Sequence, residues 1–280
     1  MQIDFDTNSI EDYKKFLKLK RLPVYSFRGL SAIVPDEYAS LLTGKKHRQA
    51  LLDYTPSGFL FDYQRDISKL AIRKQKFAVF AECGLGKTLI LLEFARHAAQ
   101  YGKTLIVSPL MVIPQTISEA RKAYPDIQIA QVKAANLQGW LEGPGDGSIG
   151  ITNYEAIKDS VTQGNLKALI LDESSMLKSH YGAWGTRLIE LGRGLEWKLC
   201  LTGTPAPNDR IEYANHAVFL DYKRTTNEFL ARYFVNRGET QNRWELMPHA
   251  LKPFYRDLSH WCIFLTNPAT YGWKDNCETI

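Results

Sequence analysis

Short apolar runs recur through the middle of the chain, each bounded by polar or turn-forming residues. FAVFA (77–81), TLIVS (104–108), IQIAQV (127–132), SIGIT (148–152), KALILD (167–172) and WKLCLT (197–202) predict strands. Several are apolar at every position, which suits strands covered on both faces, as in parallel sheets. Between them, residues 87–101, 113–124, 154–163 and 181–192 carry apolar residues at helical spacing and predict helices. The repeated strand–helix order predicts an α/β domain around a doubly wound, mostly parallel sheet. EGPGDGS (142–148) predicts a turn-rich loop before one of the strands.

The flanks read differently. Residues 1–56 predict a small α+β module: the basic amphipathic stretch DYKKFLKLKRL (12–22), a strand-like VYSF (24–27), then PDEYASLL as a short helix ended by Gly44. Residues 57–220 hold the α/β pattern. Residues 221–280 predict a mainly helical extension, in which TTNEFLARYF and ALKPFYRDLSHW show helical spacing.

Composition fits this ordered picture and narrows the function classes only slightly. The 280 residues are 45% hydrophobic and 23% charged, which describes a folded protein with a full core. Met1–Asp4 shows neither the cationic start nor the apolar stretch of a secretory leader. No apolar run reaches membrane-spanning length. Cys83, Cys200, Cys262 and Cys277 show no metal or disulfide spacing and read as reduced thiols of a cytoplasmic protein. The net charge of +5 is spread thinly: 9 basic against 7 acidic groups in residues 1–57, 18 against 16 in 58–220, 8 against 7 in 221–280. Charge alone therefore does not announce a nucleic-acid binder.

The chemistry concentrates at AECGLGKT (81–88), where a predicted strand meets a glycine-bearing turn and a helix start. That context suits a phosphate-binding loop, in which backbone N–H groups and the positive helix end hold the anion. Gly84 and Gly86 allow close backbone approach, with Cys83 and Leu85 completing the loop. Lys87 is the candidate for the β/γ-phosphates and Thr88 for a Mg²⁺ ion. Ala81 stands where the common pattern has glycine, but it closes the strand rather than lining the loop. A second apolar strand ends in Asp172-Glu173, at the carboxyl edge where open α/β sheets bind ligands. Asp172 is the candidate to hold Mg²⁺, largely through water, and Glu173 to activate the attacking water. A third strand runs into Thr202-Gly203-Thr204-Pro205, placed to sense the γ-phosphate side.

Read together, these stretches resemble the superfamily-2 helicases, and within them the Swi/Snf-type DNA translocases. FDYQRD (61–66) resembles the adenine-recognising glutamine motif, with Gln64 as its glutamine, and AECGLGKT resembles motif I. TLIVSPLMVIPQTISEA (104–120), ITNYEAI (151–157), DESSMLKS (172–179) and LTGTPAPND (201–209) follow in the family's order as motifs Ia, Ib, II and III. The resemblance implies a RecA-like lobe that binds ATP and Mg²⁺, an ATP hydrolase stimulated by nucleic acid, and double-stranded DNA as partner. A strand-separating helicase and a nucleotide-dependent DNA-binding switch are the alternatives. It further implies nucleic-acid contacts at Ser108, Thr152 and Lys178, and coupling roles for Ser175, Thr202 and Thr204.

Two departures from the family pattern matter. Ser174-Ser175 replaces the usual Ala-His after the Asp-Glu pair, and serine lacks the reach of an imidazole. Nothing in residues 210–280 reads as a second α/β lobe. The tail WCIFLTNPATYGWKDNCETI resembles the lead-in to a second lobe in compact phage and bacterial relatives. The expectation is thus a first lobe that hydrolyses ATP slowly alone and needs a second RecA-like lobe from the same or another chain. A bacterial or phage-infected cell is the expected setting.

Three further features have plain expectations. Cys83 is expected in apolar packing, and Trp244, Trp261 and Trp273 as packing residues rather than stacking platforms. The stretch 222–256 carries seven Lys/Arg against three Glu and reads equally as a solvated face or an added DNA contact. DYKKFLKLKRL reads first as a helix packed on the core, and alternatively as a grip on duplex DNA or another anionic partner.

Overall fold

The computed structural model describes residues 2–22, 25–34, 54–145, 147–177, 183–206, 209–238 and 244–274. Two compact units emerge. One comprises Met1–Leu52 with Ala231–His260, the other Asp53–Leu230 with Trp261–Ile280. This division cuts across the expected boundaries, because the chain after residue 220 contributes to both units.

The larger unit is built on one seven-stranded sheet. Its strands are β4 (Lys76–Ala81), β5 (Lys103–Ser108), β6 (Ile129–Gln131), β7 (Ile149–Asn153), β8 (Leu166–Asp172), β9 (Trp197–Thr202) and β12 (Cys262–Leu265). They lie in the order β12-β4-β9-β8-β5-β7-β6, and every neighbouring pair is parallel. From β4 the chain moves to one side to reach β5, and later crosses to the other side to add β12. Right-handed crossovers in opposite directions put helices on both faces of such a sheet. The apolar runs are explained by this cover: β4, β5 and β9 are buried along almost their whole length.

All six predicted strands form. The seventh, β12, pairs Cys262–Leu265 with Ala78–Ala81 and lies in a region expected to be helical. Four apolar residues ending a helical stretch carry no periodicity that separates strand from helix. Residues 62–74, to which the hydrophobic pattern assigns no element, form a 13-residue helix (Asp62–Lys74). The predicted helix 154–163 is only a 3-10 turn, Tyr154–Ala156. Ile157 turns extended at φ −82°, ψ 93°, and the chain beyond it is held by Asp159, which accepts two hydrogen bonds from Arg187.

The smaller unit holds the helix Ile10–Lys20, capped by Ser9, whose Oγ accepts from the Asp12 N–H. Three short antiparallel strands, Gln2–Asp4 (β1), Ser26–Arg28 (β2) and Ser31–Ile33 (β3), lie in the order β1-β3-β2. Leu19, Ala32 and Val34 form its buried cluster, with Ile3, Phe5, Leu22 and Tyr25 packed around them. Phe234–Asn236 (β10) and Trp244–Leu246 (β11) form an antiparallel pair, and Leu251–Leu258 a short helix. The expected helix 35–42 lies outside the described residues. Among the described residues, no helix is long and apolar enough to cross a membrane.

Candidate nucleotide site

The carboxyl ends of β4, β8 and β9 converge on the predicted phosphate loop. Ala81 closes β4, fully buried, and the chain then turns through Gly84 (φ 83°) and Gly86 (φ 63°) into the helix Lys87–Ala98. Positive φ at both glycines is a conformation that side chains resist. None of the Cys83, Gly84, Leu85 or Gly86 backbone N–H groups has a hydrogen-bond partner among the described residues. A row of free donors at a helix N-terminus is what a phosphate group satisfies. The Lys87 ammonium meanwhile donates to the carbonyls of Ala81 (2.8 Å) and Glu82 (3.0 Å), folded onto its own loop. The loop therefore fits a triphosphate by donor set and by backbone shape.

The helix Asp62–Lys74 braces this loop. Gln64 is almost fully buried, and its Oε1 accepts from the Phe61 N–H (3.0 Å). A methyl group added at Gly86 would collide with the Gln64 amide nitrogen, so the glutamine lies directly against the loop. Tyr63 adds a second brace, its hydroxyl donating to the Leu85 carbonyl (3.3 Å). Gly203, after β9, closes the other side. A Cβ there would sit 3.4 Å from the Ala81 carbonyl and 3.8 Å from the Lys87 ammonium. The brace from Tyr63 was not visible in the sequence, because it depends on a helix packing against a loop 22 positions away.

The two carboxylates differ sharply in surroundings. Asp172 ends β8, and its Oδ2 accepts from the Ser108 hydroxyl at 2.8 Å. Burial pushes its carboxyl above the ordinary aspartate range, opposed by that hydrogen bond. A nearby cation would relieve this desolvation. Among the described residues no group of three or more His, Cys, Asp or Glu side chains forms a cation cage. Mg²⁺ held by one or two protein oxygens and substrate phosphates needs none. Glu173 sits at φ 53°, a left-handed conformation costing a non-glycine residue about 1–2 kcal/mol. That bend turns the chain from β8 into the 3-10 turn Ser174–Leu177 and swings the carboxylate towards β9. Its Oε1 accepts from Thr202 (2.5 Å) and Ser175 (2.8 Å), while the Thr202 Oγ1 accepts from the Thr204 N–H (3.0 Å). Glu173 is thus tied directly to the third motif, with no imidazole between them.

An imidazole is present, but one layer deeper. His216, buried on the helix Tyr213–Phe219, lies 3.1 Å from the Ser174 hydroxyl through Nε2 and edge-on to Phe80. Desolvation lowers its pKa to about 4, so the ring is neutral. Nothing in the sequence connects His216 with Ser174, 42 positions away. Tyr154 likewise enters unannounced, its buried hydroxyl donating to the Asp172 carbonyl (2.6 Å) and pinning the end of β8.

The structure places both hydroxyls expected at nucleic acid in the interior. Ser108 is buried and its hydroxyl is engaged by Asp172. Thr152 is buried and donates to the Val132 carbonyl at 2.7 Å. Neither hydroxyl is presented to a strand backbone; one holds a carboxylate and the other ties β7 to the end of β6. Lys178 lies outside the described residues, as does Asn208 of the third-motif stretch LTGTPAPND. Cys83, expected in apolar packing, is exposed on the loop.

A profile of the SNF2-related domain matches residues 72–247, well over half of the chain. The chain belongs to the SNF2-related domain family. The match covers the phosphate loop and both carboxylates. Among curated relatives, the DNA annealing helicase and endonuclease ZRANB3 of Mus musculus is 27% identical over 183 residues, 61% of this chain and 17% of that protein. A Caenorhabditis elegans homologue of the SWI/SNF-related regulator of chromatin subfamily A containing DEAD/H box 1 is 30% identical over 240 residues, 76% of this chain and 23% of that one. The chain thus spans less than a quarter of the length of either relative. The Sulfolobus solfataricus SWI2/SNF2 ATPase core, solved in complex with double-stranded DNA, superposes with a TM-score of 0.61 at 20% identity. That superposition covers 76% of this chain and 46% of that core, and it establishes the RecA-like α/β fold.

Proposed function

We propose that this chain is the nucleotide-binding lobe of an ATP-driven translocase that tracks double-stranded DNA. The observation that carries the reading is the placement of Glu173. It follows the buried Asp172 by one residue and is bonded to Thr202 and Ser175 beside a loop of free N–H donors. Bound Mg·ATP supplies the phosphoanhydride bond whose hydrolysis releases energy. Lys87 exchanges the Ala81 and Glu82 carbonyls for the β/γ-phosphates, and Gln64, fixed against Gly86, reads adenine. Thr88 and Asp172 would hold Mg²⁺, which would neutralise phosphate charge as the bond breaks.

Both hydroxyls donate to Glu173 Oε1, which leaves Oε2 to accept the proton of the attacking water. Thr202 then links this carboxylate to the turn at Thr204, a short route from the γ-phosphate side to the next part of the machine. A second RecA-like lobe, from this or another chain, supplies the arginines that complete turnover. Double-stranded DNA as the track is supported by family membership and by the fold shared with a SWI2/SNF2 core solved on duplex DNA.

The test uses the full-length protein on duplex substrates. Translocation along intact duplex displaces a third strand from a triplex without separating the two strands beneath. Triplex displacement with ATP hydrolysis stimulated by duplex is the expected result. Strand separation without triplex displacement would favour a strand-unwinding helicase, and nucleotide binding without stimulated hydrolysis would favour a switch.

A further inference from the structure

The charge of the chain is distributed by folded unit in a way that the linear sequence conceals. Met1–Leu52 with Ala231–His260 carries 14 Lys/Arg against 9 Asp/Glu, and the rest of the chain carries 21 of each. The whole net charge of +5 therefore resides on the smaller unit, and the unit bearing the nucleotide site is neutral.

On that smaller unit the excess has a definite place. The helix Ile10–Lys20 buries Leu19 on one face and exposes Tyr13, Lys14, Leu17 and Lys18 on the other, with Arg21 exposed at its end. Lys14, Lys18 and Arg21 recur at i, i+4 and i+7 and so share one side of the helix. Among the described residues none of the three has an ion-pair or hydrogen-bond partner for its side chain, while neighbouring Lys15 is bound to Asp12 at 2.7 Å. They span about 10 Å along the helix axis, close to three base-pair rises of a duplex strand.

The aromatic rings beside them are already engaged. Tyr13 stacks on Phe16 with ring centroids 6.4 Å apart, and the Lys20 ammonium lies over Phe16, Tyr25 and Phe27 at 5.4–5.9 Å. Phe16, Tyr25 and Phe27 are thus engaged by Lys20 within the unit, Tyr13 alone stands largely open, and the three cations are free. That balance fits phosphate contact with an intact duplex better than stacking of unpaired bases. The helix Leu251–Leu258 of the same unit repeats the composition, exposing Lys252, Tyr255 and Arg256.

We propose that the face formed by Lys14, Lys18 and Arg21 is a sequence-independent docking surface for the phosphate backbone of duplex DNA, separate from the motifs of the nucleotide-bearing unit. The inference rests on the reading of this chain as part of a duplex-tracking machine.

The test measures binding of the full chain to a fluorescent 30-base-pair duplex and to a single strand of equal length, between 50 and 200 mM salt, without nucleotide. The triple variant Lys14→Ala/Lys18→Ala/Arg21→Ala is compared with Lys69→Ala/Lys158→Ala/Lys167→Ala, which removes equal charge from exposed sites of the other unit. Each released phosphate contact contributes about 0.9 to the salt slope, so three predict a slope shallower by about 2.7. Wild-type affinity should then fall about 40-fold more than that of the first variant across this range. The second variant should keep the wild-type slope. Unchanged melting temperature and Mg·ATP affinity establish that the first variant is folded.

Equal losses in both variants, or an unchanged slope in the first, would overturn the surface while leaving the translocase reading intact. Preferential loss of single-strand binding would overturn the duplex assignment. A dimer that Leu17→Lys dissociates would mean that this face meets a second copy instead. Wild-type protein that binds Mg·ATP but no duplex at any salt would overturn both readings.

Discussion

The two units differ in how they use particular charged groups. In the larger one, charged side chains are drawn inward and wired to one another. Glu93 is buried and accepts from Tyr54 (2.5 Å), Tyr124 (2.8 Å) and the Ser57 N–H (3.2 Å). Lys198 is buried on β9, donating to the Phe219 carbonyl and to Asp221, both at 2.8 Å; burial lowers its pKa to about 8. In the smaller unit, Lys14, Lys18 and Arg21 face solvent. Buried, satisfied networks fix geometry, whereas exposed cations add affinity without geometric demand. The proposed division of labour rests on this contrast: one unit would position ATP and the other would add hold on duplex DNA.

That contrast sets the order of expected effects. The largest belongs to Glu173→Gln in the full-length protein, which should bind Mg·ATP normally and lose about 10²–10⁴-fold in hydrolysis, the usual worth of a positioned base. Phosphate release measured beside nucleotide binding checks it, and salt-dependent duplex binding should not change. Normal turnover would remove Glu173 from the mechanism.

Next comes Gly86→Ala. Its methyl group meets the Gln64 amide at positive φ, so ATP affinity should fall at least about tenfold and stability by about 1–3 kcal/mol. Calorimetric titration and a thermal melt read these separately. A variant with wild-type affinity would show that Gln64 does not brace the loop.

The buried imidazole gives a pH test confined to the larger unit. His216 has a folded pKa of about 4 against 6.5 unfolded, so the unfolded chain binds the proton first. Its contribution is complete above pH 6.5 and is lost as pH falls towards 4, by up to about 3 kcal/mol. His216→Gln should flatten that part of the stability–pH curve, followed by denaturant unfolding at each pH. An unchanged curve would place the acid sensitivity elsewhere.

The smallest effect is expected from Ser108→Ala. Removing the hydrogen bond that opposes desolvation should raise the Asp172 pKa further. Mg²⁺-dependent ATP binding should then weaken at a higher pH on its acid side, with little change near neutrality. Titrations across pH, with and without Mg²⁺, measure the displacement.

Much of the larger unit could be read from sequence because its signals are local. Parallel strands buried on both faces give uninterrupted apolar runs, and the phosphate loop announces itself through Gly84, Gly86 and Lys87. The signals that failed are those made by distant residues. His216 reaches Ser174 from a helix 42 positions away, and β12 joins β4 after the chain has passed through the other unit. Serine's shorter reach left open how Glu173 meets the third motif, because the distance to be bridged is not written in the sequence. Adjacent β8 and β9 instead bring Thr202 within 2.5 Å of the carboxylate. Charge was misjudged for a similar reason: counted along the sequence it looks diluted, but residues 231–260 fold with the first 52 and concentrate it.

The central claim, that Lys87, Gly86 and Gln64 form a working adenine-nucleotide cradle, is tested most directly by calorimetric titration of this chain with Mg·ATP and Mg·GTP. The account predicts saturable ATP binding, GTP binding weaker by at least about tenfold, and loss of ATP binding in Lys87→Ala, whose ammonium contact to phosphate is worth about 1.5–3 kcal/mol. Equal affinity for the two nucleotides, or undiminished binding by Lys87→Ala, would contradict it.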